Sequence, residues 1–241
     1  MAVDFEKGVN IDFAGASPEE VLSWALQTFG DKVALASSFG AEDVVLVDML
    51  FKLFPAPRIF AIDTGRLPEA TYEVMESIRE RYGAQIEVYF PNGEAVERLE
   101  RESGCYSFRK SLEARHQCCG IRKVEPLERA LSKLEAWITG LRKEQSATRT
   151  EVAFVERDDA HRGIAKINPL ANWTHEQVWD YIERNNVPYN RLHKEGYPSI
   201  GCAPCTRAIA PGEHIRAGRW WWESPEHKEC GLHVKQDKDS Q

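Results

Sequence analysis

No stretch of this sequence approaches the roughly 20 consecutive apolar residues that a helix needs to cross a bilayer. The opening residues, MAVDFEKGVN, lack both the basic and the apolar region of a secretory leader. There is no internal repeat and no low-complexity tract, which excludes repeat architectures and biased tails. An excess of positive charge is missing too: the formal net charge is −7, which argues against nonspecific nucleic-acid binding over the whole surface but leaves room for a local basic pocket. These absences predict a cytoplasmic protein with neither a membrane nor a nucleic-acid partner. In that reducing compartment the six cysteines, Cys105, Cys118, Cys119, Cys202, Cys205 and Cys230, are expected to serve metal binding or thiol chemistry, and not a disulfide framework.

What is present is an ordinary globular composition, 42% hydrophobic and 29% charged, in a chain of 241 residues that can bury a core without staples. Length alone leaves the fold class open. Along the chain, apolar strand-like runs alternate with helical patterns, the signature of βα units and a mainly parallel sheet. Ser17-Pro18-Glu19-Glu20 has capping-box spacing with proline at the first helical position. Strands are expected at Lys32 to Phe39, Arg58 to Asp63, Gln85 to Phe90 and Ala136 to Leu141, with helices at Glu42 to Phe54 and Glu69 to Tyr82. After Thr150 come EVAFVE, an IAKINPL strand and a helix opened by the capping-box spacing of Thr174 to Gln177. In a doubly wound sheet the ligand sits outside the carboxyl ends of the strands, so the loops beginning at Ser37, Asp63 and Gly140 are the places to look. From Asn185 the periodicity fades into an irregular segment rich in Pro, Gly and Tyr, and DKDSQ at the end is expected to be disordered. The expected organisation is one α/β domain over residues 1–222 and a mobile C-terminal segment over 223–241.

Cys118 and Cys119 are adjacent, and Cys202 and Cys205 form a C-x-x-C pair. Four thiolates suit either a tetrahedral zinc or a 4Fe-4S cluster. Vicinal cysteines fit the zinc knuckle poorly and match two separate irons better, which favours the cluster. For Cys105 the default is a buried reduced thiol. Cys230 stands apart between His227, Lys228 and His233, whose cationic character favours the nucleophilic thiolate; an idle tail cysteine is the other reading. The run Trp220, Trp221, Trp222 cannot put all three rings on one face of a strand and is read mainly as packing that anchors the tail.

CCGIRKVEPL, IGCAPCTR and KECGLH resemble the three diagnostic motifs of assimilatory adenylylsulfate reductases, within the phosphoadenosine phosphosulfate reductase family. The similarity extends to SSFGAED, DTGRLPEATY, GLRKEQSATR and RAGRWWWE and so covers most of the chain. The resemblance implies a Rossmann-like adenine-nucleotide α-hydrolase fold, a mainly parallel sheet flanked by helices with an irregular C-terminal segment. It implies Cys118, Cys119, Cys202 and Cys205 as ligands of a 4Fe-4S cluster and Cys230 as catalytic nucleophile. Ser37, Ser38, Phe39 and Gly40 would lie against the adenosine end of the substrate, with Asp63, Thr64 and Gly65 as the neighbouring wall. Lys123, Arg142, Arg149, Arg216 and Arg219 would compensate the phosphate and sulfate. Two features depart from the family's pattern: it gives Cys105 no task, and EARHQ before Cys118 is unusually basic.

The implied activity is reduction of adenosine 5'-phosphosulfate to sulfite and AMP, through an S-sulfocysteine that thioredoxin or a related dithiol resolves, in sulfate assimilation and cysteine biosynthesis. A reductase for the 3'-phosphorylated nucleotide is the nearest alternative, one that usually lacks the paired cysteines. An ATP-activating enzyme of the same fold would carry an SGGxDS loop, from which SSFGAED departs. A zinc-stabilised nucleic-acid binder is the remote alternative. A homo-oligomer is compatible with the sequence.

Overall fold

Ser17 opens the first helix as its spacing predicts: in the computed structural model, which describes residues 13, 15–145 and 152–224, its hydroxyl accepts from the Glu20 amide at 3.2 Å while the Glu20 carboxylate accepts from the Ser17 amide at 2.7 Å. Two of the helix's open amides are thereby satisfied. Helix α1 (Pro18–Phe29) buries Val21, Leu22, Ala25 and Phe29, spaced as one apolar stripe, and ends at Gly30, whose φ of 54° reverses the chain. Strand β1 (Val33–Ala36) follows, then α2 (Ala41–Leu53), β2 (Ile59–Ile62), α3 (Glu69–Tyr82) and β3 (Ile86–Tyr89). Next come α4 (Gly93–Ser103), α5 (Leu112–Cys119) and α6 (Glu125–Leu131). Strands β4 (Ala136–Ile138), β5 (Val155–Asp158) and β6 (Ile164–Ile167) lead to α7 (His175–Arg184), which carries the second capping box at Thr174 and Gln177.

The six strands form one sheet in the order β3-β2-β1-β4-β6-β5. β1 pairs in parallel with β2 and β4, and β4 with β6, while β5 is antiparallel to β6 at the edge. The four strands expected before residue 150 all appear, shortened at their ends, and the two later segments form the edge hairpin. Strand order turns at β1, so the crevice for a ligand opens between the carboxyl ends of β1 and β4. No described helix is long and apolar enough to cross a membrane.

The chain divides into two compact units interleaved in sequence. The first holds the described residues up to Ala61, Val74–Glu87 and Leu131–Tyr189; the second holds Ile62–Glu73, Val88–Ala130 and the described residues from Asn190. The core of the first is built by β1, β4 and β6 with α1 and α2, where α2 is buried continuously from Val44 to Leu50. The second contains the irregular stretch after Asn190, held by short 3-10 turns, together with the helices that carry the first cysteine pair.

Candidate functional site

In the first unit β1 runs out into Ser37, whose amide still donates to Phe60 O at 2.9 Å. Phe39 then adopts φ 59° with its ring buried, a left-handed conformation that a non-glycine residue holds only when its surroundings enforce it. Enforcement comes from both sides: Phe39 N donates to Ser37 Oγ at 3.2 Å, and Ser38 donates to Asp43 Oδ2 through both N and Oγ at 2.7 Å. Asp43 lies in the first turn of α2, so the loop is pinned to a helix N-terminus, where free amides and the helix dipole favour an anion. Burial pushes the Asp43 carboxyl up to about 6, against the two Ser38 hydrogen bonds that lower it. Gly140, just past β4, is required by this packing, because a Cβ there would lie 2.6 Å from Asp43 Oδ1.

In the second unit Cys118 and Cys119 close helix α5, and the chain continues as a π-helical stretch over Gly120–Val124 in which Glu125 N reaches Gly120 O. This wider turn carries Arg122 and Lys123, and such interruptions recur at functional sites. Cys202 and Cys205 flank a 3-10 turn whose Ala203 N donates to Arg66 O at 2.8 Å. All four cysteines line one cavity of about 330 Å³, open mouth included, together with Arg66, Arg115, Arg122, Lys123, Phe108 and Trp220. The Asp63–Gly65 turn borders the same place: Thr64 Oγ1 is 3.2 Å from Cys202 Sγ, and Arg122 donates to Thr64 O at 2.8 Å. Glu100 holds Arg66 at 2.7 Å and Arg122 at 2.6 Å, so two guanidiniums are fixed by one carboxylate.

The thiols are electrostatically unequal. Burial pushes Cys118 up, and burial together with the charge of Cys202 pushes Cys205 up to about 12. Burial opposes the Cys202 thiolate as well, but Lys123, the Thr64 hydroxyl, Arg219 and Arg66 outweigh it and hold Cys202 below the ordinary thiol value. Each thiolate penalises its neighbours, so four together require a cationic centre among them. Among the described residues no three His, Cys, Asp or Glu side chains converge closely enough for a single metal ion.

Residues 32–208 match the phosphoadenosine phosphosulfate reductase domain. The chain belongs to that family. It is 52% identical over 206 residues to an adenosine 5'-phosphosulfate reductase of Allochromatium vinosum, covering 86% of this chain and 80% of that protein. A Burkholderia cepacia protein of the same name is 54% identical over 204 residues, 85% of this chain and 81% of that one. The crystal structure of a phosphoadenylyl-sulfate reductase from Candida auris, a phosphate complex, superposes with TM-score 0.70 at 32% identity, covering 82% of this chain and 93% of that one. The fold is thus the adenine-nucleotide α-hydrolase-like one of this reductase family, and the ATP-activating and zinc-stabilised alternatives fall away.

Within the family frame the expected residues are distributed unevenly. Ser37, Ser38, Phe39, Gly40 and Arg142 lie in the first unit; Asp63, Thr64, Gly65, Lys123, Arg216, Arg219 and the two cysteine pairs lie in the second. Arg149 and Cys230 lie outside the described residues, as does the expected disordered end. The Arg142 guanidinium is buried and bound to Glu42 at 2.8 Å, Glu144 at 3.2 Å and Trp173 O at 3.2 Å. Arg219 is buried over the Trp220 ring, 4.7 Å away, and donates to Ile200 O at 3.1 Å. Cys105 is exposed, contrary to the buried default: it sits in the turn after the Gly104 cap of α4, its Sγ 3.5 Å from Glu100 Oε2. Sequence reasoning missed Arg66, Arg115, Arg122 and Glu100. Three of these are arginines next to cysteine or glycine motifs, and the only available signal was that adjacency.

Proposed function

We propose that the chain reduces adenosine 5'-phosphosulfate to sulfite and AMP in assimilatory sulfate reduction, using Cys230 as nucleophile. The observation that carries this reading is the convergence of Cys118, Cys119, Cys202 and Cys205 on one cavity lined by Arg66, Arg122 and Lys123, in a chain 52% and 54% identical to relatives named for that substrate.

The donor set fits a 4Fe-4S cluster. Four mutually repelling thiols come from two distant segments, and a cluster spreads its attachment points over several irons instead of gathering them on one ion. Cys118, Cys119, Cys202 and Cys205 would hold it. When bound, it would supply a fixed charge of about −2 and a cross-link between the end of α5 and the 202–205 turn.

The remaining chemistry belongs to the side chains. The loop Ser37 to Gly40 and the N-terminus of α2 are the nucleotide-binding elements of the first unit, and Asp63 to Gly65 those of the second. Lys123, Arg149, Arg216 and Arg219 offset the phosphate and sulfate; Arg142 joins them by exchanging one of its carboxylate partners. The Cys230 thiolate attacks the sulfate sulfur, the bond from sulfur to the AMP phosphate oxygen breaks, and AMP leaves with the electron pair. A thiolate of thioredoxin, or of a related dithiol protein in a reducing cytoplasm, then attacks Cys230 Sγ. Sulfite leaves, and the partner's second thiol closes its own disulfide and frees Cys230, so the dithiol supplies both electrons.

The test is anaerobic sulfite release with adenosine 5'-phosphosulfate and with its 3'-phosphorylated analogue in competition. Faster consumption of the unphosphorylated nucleotide is expected, and the opposite preference overturns the substrate. Cys230→Ser is expected to stop turnover and leave the iron in place; appreciable turnover in that variant removes Cys230 from the mechanism.

A further inference from the structure

We propose that the Arg115–Glu223 ion pair is a positioning device that fixes the root of the C-terminal segment to the helix ending in Cys118 and Cys119. The inference deepens the proposed function and rests on it through the role of Cys230.

Arg115 precedes Cys118 and Cys119 by three and four positions, which places all three within one turn and on neighbouring faces of α5. It is 1% exposed, lines the cysteine cavity, and donates from Nε to Glu223 Oε1 at 2.7 Å. Its guanidinium lies 4.6 Å from the centre of the Trp220 ring, itself fully enclosed. Trp220 holds φ 41°, a left-handed conformation, and its amide donates to Cys205 O at 3.1 Å. One residue earlier, Arg219 bridges to Thr206. The strap Arg219–Glu223 is therefore tied at one end to the second cysteine pair and at the other, through Arg115, to the first.

Supply of positive charge to the thiols does not account for this arrangement. Arg66, Arg122 and Lys123 face the same cavity and are the cations that lower Cys118 against its burial; Arg66 and Arg122 share the single, partly exposed carboxylate of Glu100, whereas Arg115 is neutralised by a buried carboxylate of its own. Buried ion pairs contribute little net stability relative to apolar replacements, and their best-attested use is to specify geometry. What the pair specifies here is the position of the last described residues of the second unit, just before the segment that carries Cys230 in the sequence. Cys230 follows Glu223 by seven positions, and a chain extends at most about 3.5 Å per residue, so the anchor bounds the reach of the nucleophile to roughly 25 Å. Glu223 Oε2 is buried without a partner among the described residues, so Arg115 engages one of the two carboxylate oxygens.

The experiment compares Glu223→Gln and Glu223→Asp with the wild-type full-length chain, purified anaerobically. Three readouts are taken: iron and acid-labile sulfide content, KM for adenosine 5'-phosphosulfate, and the single-turnover rate of the sulfonate adduct at Cys230 by mass spectrometry. Glu223→Gln is expected to slow adduct formation at saturating nucleotide by tenfold or more with iron content and KM unchanged, and Glu223→Asp to recover most of the rate. Adduct formation at the wild-type rate in Glu223→Gln, or a loss that only tracks lost iron, overturns the proposal. Absence of any adduct in the wild-type chain overturns the Cys230 reading and this inference with it.

Discussion

Asp48 in the first unit and the four-cysteine cavity in the second are both buried polar centres, and among the described residues they are satisfied differently. Its carboxylate accepts from Tyr82 Oη and Tyr181 Oη, each at 2.7 Å, and pairs with Lys52 Nζ at 2.7 Å. Burial opposes its ionisation, but Lys52 and the two tyrosines prevail and hold it below the usual carboxylate range. Around the cysteines the balance differs: the thiols raise one another, and Arg122 Nε and Arg219 Nε are buried without a hydrogen-bond partner among the described residues. A closed polar knot serves the fold, since it joins α2, α3 and α7. A cavity whose thiols still raise one another among the described residues is suited to the cationic cluster core proposed above.

The largest effect expected from this contrast is at the cysteines. Cys202→Ala removes a thiol from the set; if the cysteines hold the proposed cluster, iron content is expected to fall to background and the absorption at about 400 nm to be lost, because a site assembled from distant segments contributes to folding as a unit. Asp48→Ala is the matching change in the other centre. It takes the acceptor from the Tyr82 and Tyr181 hydroxyls and one partner from the half-exposed Lys52, which keeps Tyr181 Oη and Asn185 Oδ1, and is expected to cost about 2–4 kcal/mol in urea unfolding with iron content equal to wild type. If Asp48→Ala also empties the cysteines of iron, the division of roles between the centres is wrong.

Asp43 is an intermediate case, a buried carboxylate met by Ser38 through its amide and hydroxyl and by the Gly40 backbone, with no cation paired to it among the described residues. Its folded pKa of about 6 lies above the ordinary 3.8, so folding takes up a proton between about pH 4 and 6. The wild-type chain should therefore gain stability relative to Asp43→Asn as pH falls through that window, by about 3 kcal/mol at most, and lose it again as pH rises past 6. Thermal unfolding of both proteins from pH 4 to 7.5 measures this, and parallel curves would remove the burial argument. Gly140→Ala should have the smallest effect, about 1–3 kcal/mol from the collision with Asp43, together with weaker AMP binding by calorimetry.

Much of the first unit was legible in the sequence because its signals are local. Both capping boxes, the limits of α3 at Glu69 and Tyr82, and the positions of β1 to β4 and β6 follow from side-chain type and period, whereas β5 begins near the end of the EVAFVE segment, at Val155. Helix α4 was missed although Asn92 caps it by accepting from the Ala95 amide, since its strongly charged sequence has few apolar residues to mark a period. The second unit hides more. Cys118, Cys119, Cys202 and Cys205 announce themselves by spacing, but the π-helical turn after Cys119 carries no residue code of its own. The burial of Arg115 and Arg122 and the placing of the partly buried Arg66 depend on Glu100 and Glu223, which are distant in sequence. The left-handed backbone at Phe39 and Trp220 is equally invisible, because bulky residues take it only under tertiary constraint.

Iron and acid-labile sulfide, measured on the anaerobically purified chain beside its rate of adenosine 5'-phosphosulfate reduction, test the account most directly. The prediction is about four iron and four sulfide per active chain, with turnover proportional to cluster content. Stoichiometric zinc without sulfide, or full turnover in a chain that holds no iron, would contradict it.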